Sequence, residues 1–252
     1  MGFTHPTPDR VGWVKPTHVP SAFDIAPRFA IEPTMNSLDF TLHRQTLTAL
    51  PSGGLYHAAA GILCVSDLHL GKSDRIARRS GLMLPPYETQ ATLDKLDADI
   101  AATNPTIVIC LGDSFDDLAA ADALPEDARL WLLRLQAGRR WIWVEGNHDA
   151  GPVDLGGTHL AQVQIGGLNW RHIAETGAVA EVSGHYHPKL ALPGNAARAC
   201  FLYDFQRVIL PAYGAYTGGL HCTSSALQSL FGAPAFAILT GRKAILAPMP
   251  KT

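Results

Sequence analysis

The stretch "GILCVSDLHLGK", residues 61–72, is an unbroken apolar run that stops abruptly in polar residues and a glycine. A short apolar run bounded by turn signals reads as a strand buried on both faces, and the polar tail as the loop it feeds. The shape recurs twice. "TIVICLGDSFDD" (106–117) ends in acidic residues, and "RRWIWVEGNHDAG" (139–151) ends in Asn147, His148 and Asp149. Helical segments separate the three. "PYETQATLDKLDADIAATN" (86–104) carries Leu93, Leu96 and Ile100 at helical spacing and stops at Asn104-Pro105; "PEDARLWLLRLQAG" (125–138) is the second. Strand, helix, strand, helix, strand predicts a βαβ core with a parallel sheet.

Outward from that core the pattern changes. Upstream, "LDFTLHRQTLTALPSGGLYHA" (38–58) alternates like a hairpin, with Pro51 and Gly53-Gly54 as breakers. Downstream of residue 157 the helical signal fades into short strands: "VQIGGLNWRH", "AVAEVSGHYH", "CFLYDFQRVIL" and "AFAILTGRKAILA". The expectation is two sheets packed face to face with helices outside. Residues 1–35 are dense in Pro and Thr and read as a disordered N-terminal extension, leaving 36–252 as a single domain.

A chain of 252 residues can bury enough surface to fold without a disulfide or a structural metal. Its formal net charge of −2 gives no global pull toward nucleic acid or anionic membrane. One local run, "KSDRIARRS" (72–80), is basic; it reads equally as a solvated helix face or as a phosphate-binding patch. Four cysteines without C-x-x-C spacing argue against a zinc ribbon and a disulfide framework. The chain has no long apolar run that would span a membrane and no signal-peptide pattern, so cytoplasmic residence is the expectation.

The polar strand ends carry the chemistry. They are "SDLHLG" with Asp67 and His69, "GDSFDD" with Asp113 and Asp116, and "GNHD" with Asn147 and His148. His172 in "NWRH" and His185 and His187 in "GHYH" end later strands. In open α/β sheets ligands collect beyond the carboxyl ends of strands, so clusters distant in sequence should converge. Taken singly, each has an ordinary explanation: Asp after a strand is a common turn residue or N-cap, and a lone His is more often structural. Five such clusters in the same context are not explained that way. Asp, His and Asn without thiolate suit divalent cations such as Mn²⁺, Fe²⁺ or Zn²⁺, and an aspartate can offer one oxygen to each of two metals. Gly112, Gly146 and Gly184 permit the tight turns that bring such ligands close. Alternation along a strand would send His185 and His187 to one face.

D-x-H, G-D-x-x-D, G-N-H-D, a lone His and G-H-x-H, in this order over residues 61–187, resemble the calcineurin-like metallophosphoesterase superfamily. The resemblance implies a four-layer α-β-β-α sandwich of two mixed sheets and a dinuclear metal centre, most readily of Mn²⁺, with Fe²⁺ or Zn²⁺ as alternatives. It assigns one metal to Asp67, His69, Asp113 and His187, and the second to Asp113, Asn147, His172 and His185, with Asp113 bridging. His148 matches the general acid beside the scissile phosphate, and Asp116 the acidic residue that orients it. The implied reaction is phosphodiester hydrolysis by a hydroxide bridging two cations.

"RRSGLMLPPYET" (78–89), "GHYHPK" (184–189) and "LPAYGAYTGGL" (210–220) extend the likeness to a narrower bacterial branch, the ligase-associated DNA-damage-response endonuclease (PdeM) family. That branch implies a nuclease or end-processing role beside an ATP-dependent DNA ligase, a helicase and an exonuclease, with no membrane partner. Near-neutral charge disfavours a wrapped duplex, so DNA ends or single-stranded DNA are the expected substrates, with Arg75, Arg78, Arg79 and Lys189 contacting phosphates. Two other readings stand beside it: a phosphoesterase or pyrophosphatase on a small nucleotide or lipid, and a non-catalytic scaffold. An intact ligand set together with His148 counts against the scaffold.

Overall fold

The computed structural model describes residues 1–2, 36–81 and 87–251, apart from the side chains of Asp74 and Arg79. The extension expected over residues 1–35 thus falls almost wholly outside the described residues. The first sheet opens with an antiparallel meander, β1 (Leu38–Leu42), β2 (Gln45–Ala49) and β3 (Leu55–His57), which continues antiparallel into β4 (Ile62–Val65). From there pairing turns parallel. After helices α1 (Lys72–Ser80) and α2 (Glu88–Thr103) comes β5 (Ile107–Leu111). Helices α3 (Leu118–Asp122) and α4 (Glu126–Gln136) lead to β6 (Arg140–Val144) and β7 (Thr158–Leu160). The spatial order is the chain order, β1 through β7.

The apolar runs divide between two cores with the period of a strand. Ile62 and Cys64, Ile109 and Leu111, and Ile142 and Val144 face the second sheet. Their neighbours Leu63 and Val65, Val108 and Cys110, and Trp141 and Trp143 face α2 and α4 through Leu93, Leu96, Ile100, Leu132 and Leu135. Each fully buried aliphatic side chain contributes about 1.5–3 kcal/mol of transfer free energy, so both faces of these central strands hold the sandwich together. Asn104, in the left-handed conformation, ends α2 and donates its N–H to Ile100 O, a C-cap role that suits asparagine.

The second sheet is built from β8 (Gln162–Ile165), β9 (Leu168–Arg171), β10 (Glu181–Ser183), β11 (Lys189–Leu190), β12 (Arg198–Tyr203) and β13 (Arg207–Ile209). After a short helix α5 (Ser225–Gln228) it is completed by β14 (Phe236–Leu239) and β15 (Ile245–Pro248). Its order is β15-β14-β12-β13-β10-β9-β8, with β11 paired to β12. Both sheets are mixed, as expected for the α-β-β-α sandwich. "VQIGGLNWRH", "CFLYDFQRVIL" and "AFAILTGRKAILA" each resolve into two paired strands, because Gly166-Gly167, Asp204–Gln206 and Thr240–Ala244 turn the chain back. The outer layer is thin: Leu227 of α5 and Cys222 cover Cys200, Leu202 and Ile209. All four cysteines are buried and free.

Candidate metal centre

Beyond Val65 and Leu111 the neighbouring chains stay hydrogen-bonded. Asp67 N donates to Gly112 O (3.1 Å), His69 N to Asp113 O (2.9 Å) and Leu70 N to Ser114 O (3.0 Å). The extension kinks at each candidate ligand. Asp67, His69 and Asp113 have φ of 55°, 45° and 46°, and His185 and His187 have 71° and 45°. This left-handed region is uncommon outside glycine, though Asp and His enter it more readily than most, and each instance costs about 1 kcal/mol or more. Strain held at five residues of one site is the backbone signature of a functional centre.

The structure brings the expected residues together. Asp67, His69 and His187 form one group and Asp113, His172 and His185 another, each with ligand atoms within 4.8 Å of one another. In the first group Asp67 Oδ2 accepts from Ser66 Oγ (2.6 Å) and from His185 N (3.0 Å). Asp67 Oδ1 and His187 Nε2 lie 3.1 Å apart, and His69 Nε2 is buried without a hydrogen-bond partner among the described residues. In the second group His172 Nδ1 points at Leu111 O (3.1 Å). A carbonyl only accepts, so Nδ1 carries the proton and Nε2 turns its lone pair inward. Around Nε2 stand Asn147 Oδ1 at 3.1 Å, His185 Nδ1 at 3.3 Å and Asp113 Oδ2 at 3.4 Å. Buried acceptor atoms converging this way are what divalent cations satisfy, and the oxygen and imidazole donors match that chemistry.

The carboxylates and imidazoles shift one another. Burial alone would raise the Asp67 and Asp113 carboxyls, but neighbouring histidines outweigh it, and Asp113 is held down at about 2. Burial would lower His172; the carboxylates of Asp113 and Asp67 reverse that and raise it. Burial and the neighbouring His172 lower His185, favouring the neutral form that binds a metal.

Two expectations change in detail. His185 and His187 do not lie on a strand, since β10 ends at Ser183. They diverge to separate groups because both take left-handed conformations in the following loop, not because a pleat alternates. Asp116 meets His148 through its main chain: His148 Nδ1 lies 3.0 Å from Asp116 O. The Asp116 carboxylate instead meets His69 Nδ1 at 2.9 Å and Arg75 Nη1 at 2.7 Å, with Lys72 Nζ at 3.8 Å. Burial would raise this carboxyl, yet the His69 and Arg75 hydrogen bonds hold it well below the usual range. A carboxylate on the outer nitrogen of a ligand histidine fixes its tautomer, so Asp116 supports His69 directly.

Of the cations expected to contact substrate, Arg75 stands at the centre, its Nη1 3.4 Å from His148 Nδ1 as well as on Asp116. Arg78 is paired with the Asp117 carboxylate. Lys189 Nζ reaches Thr217 O at 3.3 Å. The Arg79 side chain lies outside the described residues.

Asp149 had no role assigned from the sequence beyond its place in G-N-H-D. It organises the loops: Oδ1 accepts from Asp113 N (3.1 Å) and Gly146 N (3.0 Å), and Oδ2 from Ser114 N (2.7 Å) and Phe115 N (3.2 Å). Its carboxyl is raised by burial and by Asp113 in spite of these bonds. An acidic residue closing a polar strand end was the only available signal. Gly112, at φ 80°, is required for another reason: a Cβ there would overlap the His172 ring.

Comparison with known proteins agrees with this geometry. No curated protein matches the chain. The crystal structure of Pseudomonas putida nuclease MPE matches it with a TM-score of 0.69 and 27% sequence identity, over 84% of this chain and 100% of that one. The family model of the calcineurin-like phosphoesterases matches residues 60–195, the span that holds both groups of donors. The chain therefore belongs to the calcineurin-like phosphoesterases, metal-dependent hydrolases whose active centre is dinuclear.

Proposed function

We propose that residues 36–252 form a two-metal phosphodiesterase that cleaves DNA, acting on ends or single strands. The observation that carries this reading is the side-by-side packing of the two donor groups with His148 beside them. The nuclease likeness of the P. putida structure supports it. Asp67, His69, Asp113 and His187 would hold one ion, and Asp113, Asn147, His172 and His185 the other. Two bound divalent cations supply an activated water at neutral pH and neutralise charge on the phosphoryl oxygens.

The chain's own residues do the rest. His148 N donates to Asp113 Oδ1 (2.9 Å), which seats the histidine on a ligand loop. Nδ1 donates to Asp116 O and Nε2 stands 4.0 Å from Asp113 Oδ2. As the imidazolium, with its second proton on Nε2, the ring can give that proton to a departing alkoxide and return to the neutral form, a role worth about 10²–10⁴ in rate. Arg75, fixed by Asp116, places a guanidinium beside the same histidine, suited to a phosphate oxygen. Mn²⁺ is the proposed native metal, and the resemblance to the ligase-associated branch supports a repair role alongside an ATP-dependent DNA ligase, a helicase and an exonuclease.

The test is hydrolysis of bis(p-nitrophenyl) phosphate by metal-stripped protein refilled with Mn²⁺, Zn²⁺ or Mg²⁺, followed by single-stranded and duplex oligonucleotides. Turnover should be metal-dependent and highest with Mn²⁺. His148→Ala should lower it about 10²-fold or more while bound metal is unchanged. Preference for a small nucleotide or lipid pyrophosphate over every DNA would replace the nuclease reading.

A further inference from the structure

The segment "PAYGAYTGG" (211–219) contributes no donor to either group, yet it is fastened to two of the ligand loops, those of Asp67 and His187. On one side Tyr213 N donates to Ser66 O (2.8 Å) and Gly214 N to Asp67 O (3.0 Å). Gly214 lies so close that any Cβ would overlap the Leu68 carbonyl. On the other side a Cβ on Gly219 would overlap the His187 carbonyl, and Leu220 N donates to Tyr186 O (3.2 Å). Thr217 Oγ1 closes the turn onto Gly214 O (3.2 Å), and Ala215 N bonds Thr92 Oγ1 of α2 (3.2 Å).

Tyr216 stands at the apex of this turn, half exposed, with φ 57°. Its Cα is two residues from Gly214, hence within about 7 Å of it by chain reach. A bulky residue at positive φ is unusual, and the same short turn uses glycine freely at 214, 218 and 219. Backbone geometry alone would have been met more cheaply by glycine at 216. The ring is thus carried at a local backbone cost. The Lys189 ammonium bonds the carbonyl of Thr217, the residue next to Tyr216, which sets a phosphate-seeking charge and an exposed aromatic on one turn, between glycines that touch the Leu68 and His187 carbonyls. An aromatic beside a cation is the arrangement that holds unstacked bases and their backbone.

We propose that Tyr216 is the platform on which a base of a single-stranded DNA substrate stacks, next to the phosphate that is cut. The inference deepens the nuclease reading and rests on it. A stacked base contributes on the order of tenfold in affinity. Steady-state cleavage of a single-stranded oligonucleotide by Y216A should therefore show KM raised about tenfold, with Y216F close to wild type. On an oligonucleotide of equal length with abasic residues flanking the scissile phosphate, wild type and Y216A should have the same KM.

Equal KM for wild type and Y216A on the base-containing strand would overturn the proposal. So would a penalty that persists undiminished on the abasic strand, since the ring would then be acting on something other than a base. If the wild type hydrolyses bis(p-nitrophenyl) phosphate but cleaves no DNA, the nuclease reading fails and the stacking platform falls with it. DNA cleavage that Y216A leaves intact removes the platform alone.

Discussion

The two donor groups are built alike but walled differently. Around Asp67, His69 and His187 the structure is closed. Ser66 and the His185 N–H occupy the outer oxygen of Asp67, and Asp116 with Arg75 and Lys72 backs His69. Gly214 and Gly219 press against the ligand loops themselves. Around Asp113, His172 and His185 the wall is broken by a surface cleft lined by Asn147, Gln162, Arg171, His172 and Ile173. There Asp149 holds the Asp113 turn, and buried Glu181 faces Arg207 (3.2 Å) and accepts from Glu175 N (2.8 Å), steadying the segment after His172. A closed site favours a resident ion; a site beside a cleft favours exchange and substrate access. The first group should thus act as the anchor and the second as the working end.

Asp113 is the residue that most directly ties the halves, because its Oδ1 seats His148 while Oδ2 faces His172. Asp113→Ala should lower phosphodiester hydrolysis by about 10³-fold or more, the range expected when metal-assisted charge stabilisation is lost. It should also reduce bound metal to at most one ion per chain, read by elemental analysis. Two ions retained in that variant would dissolve the contrast.

Gly214→Ala should test the closed wall. Its Cβ has nowhere to go beside the Leu68 carbonyl, whereas a Cβ at Gly218 meets nothing within 4 Å among the described residues. Overpacking of this kind costs about 1–3 kcal/mol, so Gly214→Ala should melt several degrees lower and Gly218→Ala within about 1 °C of wild type. Under a chelator the Gly214 variant should lose its more tightly held ion faster. Equal melting of the two variants would mean that the segment rests on the ligand loop without supporting it.

The smallest effect concerns the back of the same wall. Lys95 donates to Tyr213 O and lies 3.9 Å over the Tyr213 ring, while Tyr213 Oη donates to Asp99 (2.8 Å). Burial lowers the Lys95 ammonium from 10.5 to about 8, partly offset by Asp99. Between those values the unfolded chain holds a proton that the folded chain has released, so stability from this group rises with pH. Below pH 8 both states are charged and the burial cost is in full force. Compared with Lys95→Met, wild type should gain on the order of 2 kcal/mol between pH 8 and 10. Buried thiols, which act in the opposite sense, cancel in that difference because both proteins carry them. A difference in melting temperature that stays flat across the window would mean that Lys95 is fully hydrated.

Much of the site was legible because it is local. A strand buried on both faces must alternate its apolar residues, and a polar residue just past its end has no place in either core. Asp67, His69, Asp113, Asn147 and His148 announce themselves that way. His172, His185 and His187 were legible by order and spacing, but the strand alternation expected to set His185 and His187 on one face does not operate: both stand past the end of β10 in left-handed conformations. Asp149 and the Asp116 carboxylate were misjudged or passed over because their partners, the Asp113–Phe115 main chain and His69, come from other strand ends.

What the sequence by itself determined is therefore the periodicity: which runs are strands, which helices, and which residue types stand at their ends. Those depend on side chains and near neighbours. Only the tertiary structure decided which donor belongs to which group, that Asp116 supports His69 while its carbonyl holds His148, and that residues 211–219 lie against the loops of Asp67 and His187. Each of these is a contact between segments far apart in the chain. Its existence depends on how two sheets stack, a property of the whole fold that no window of sequence contains.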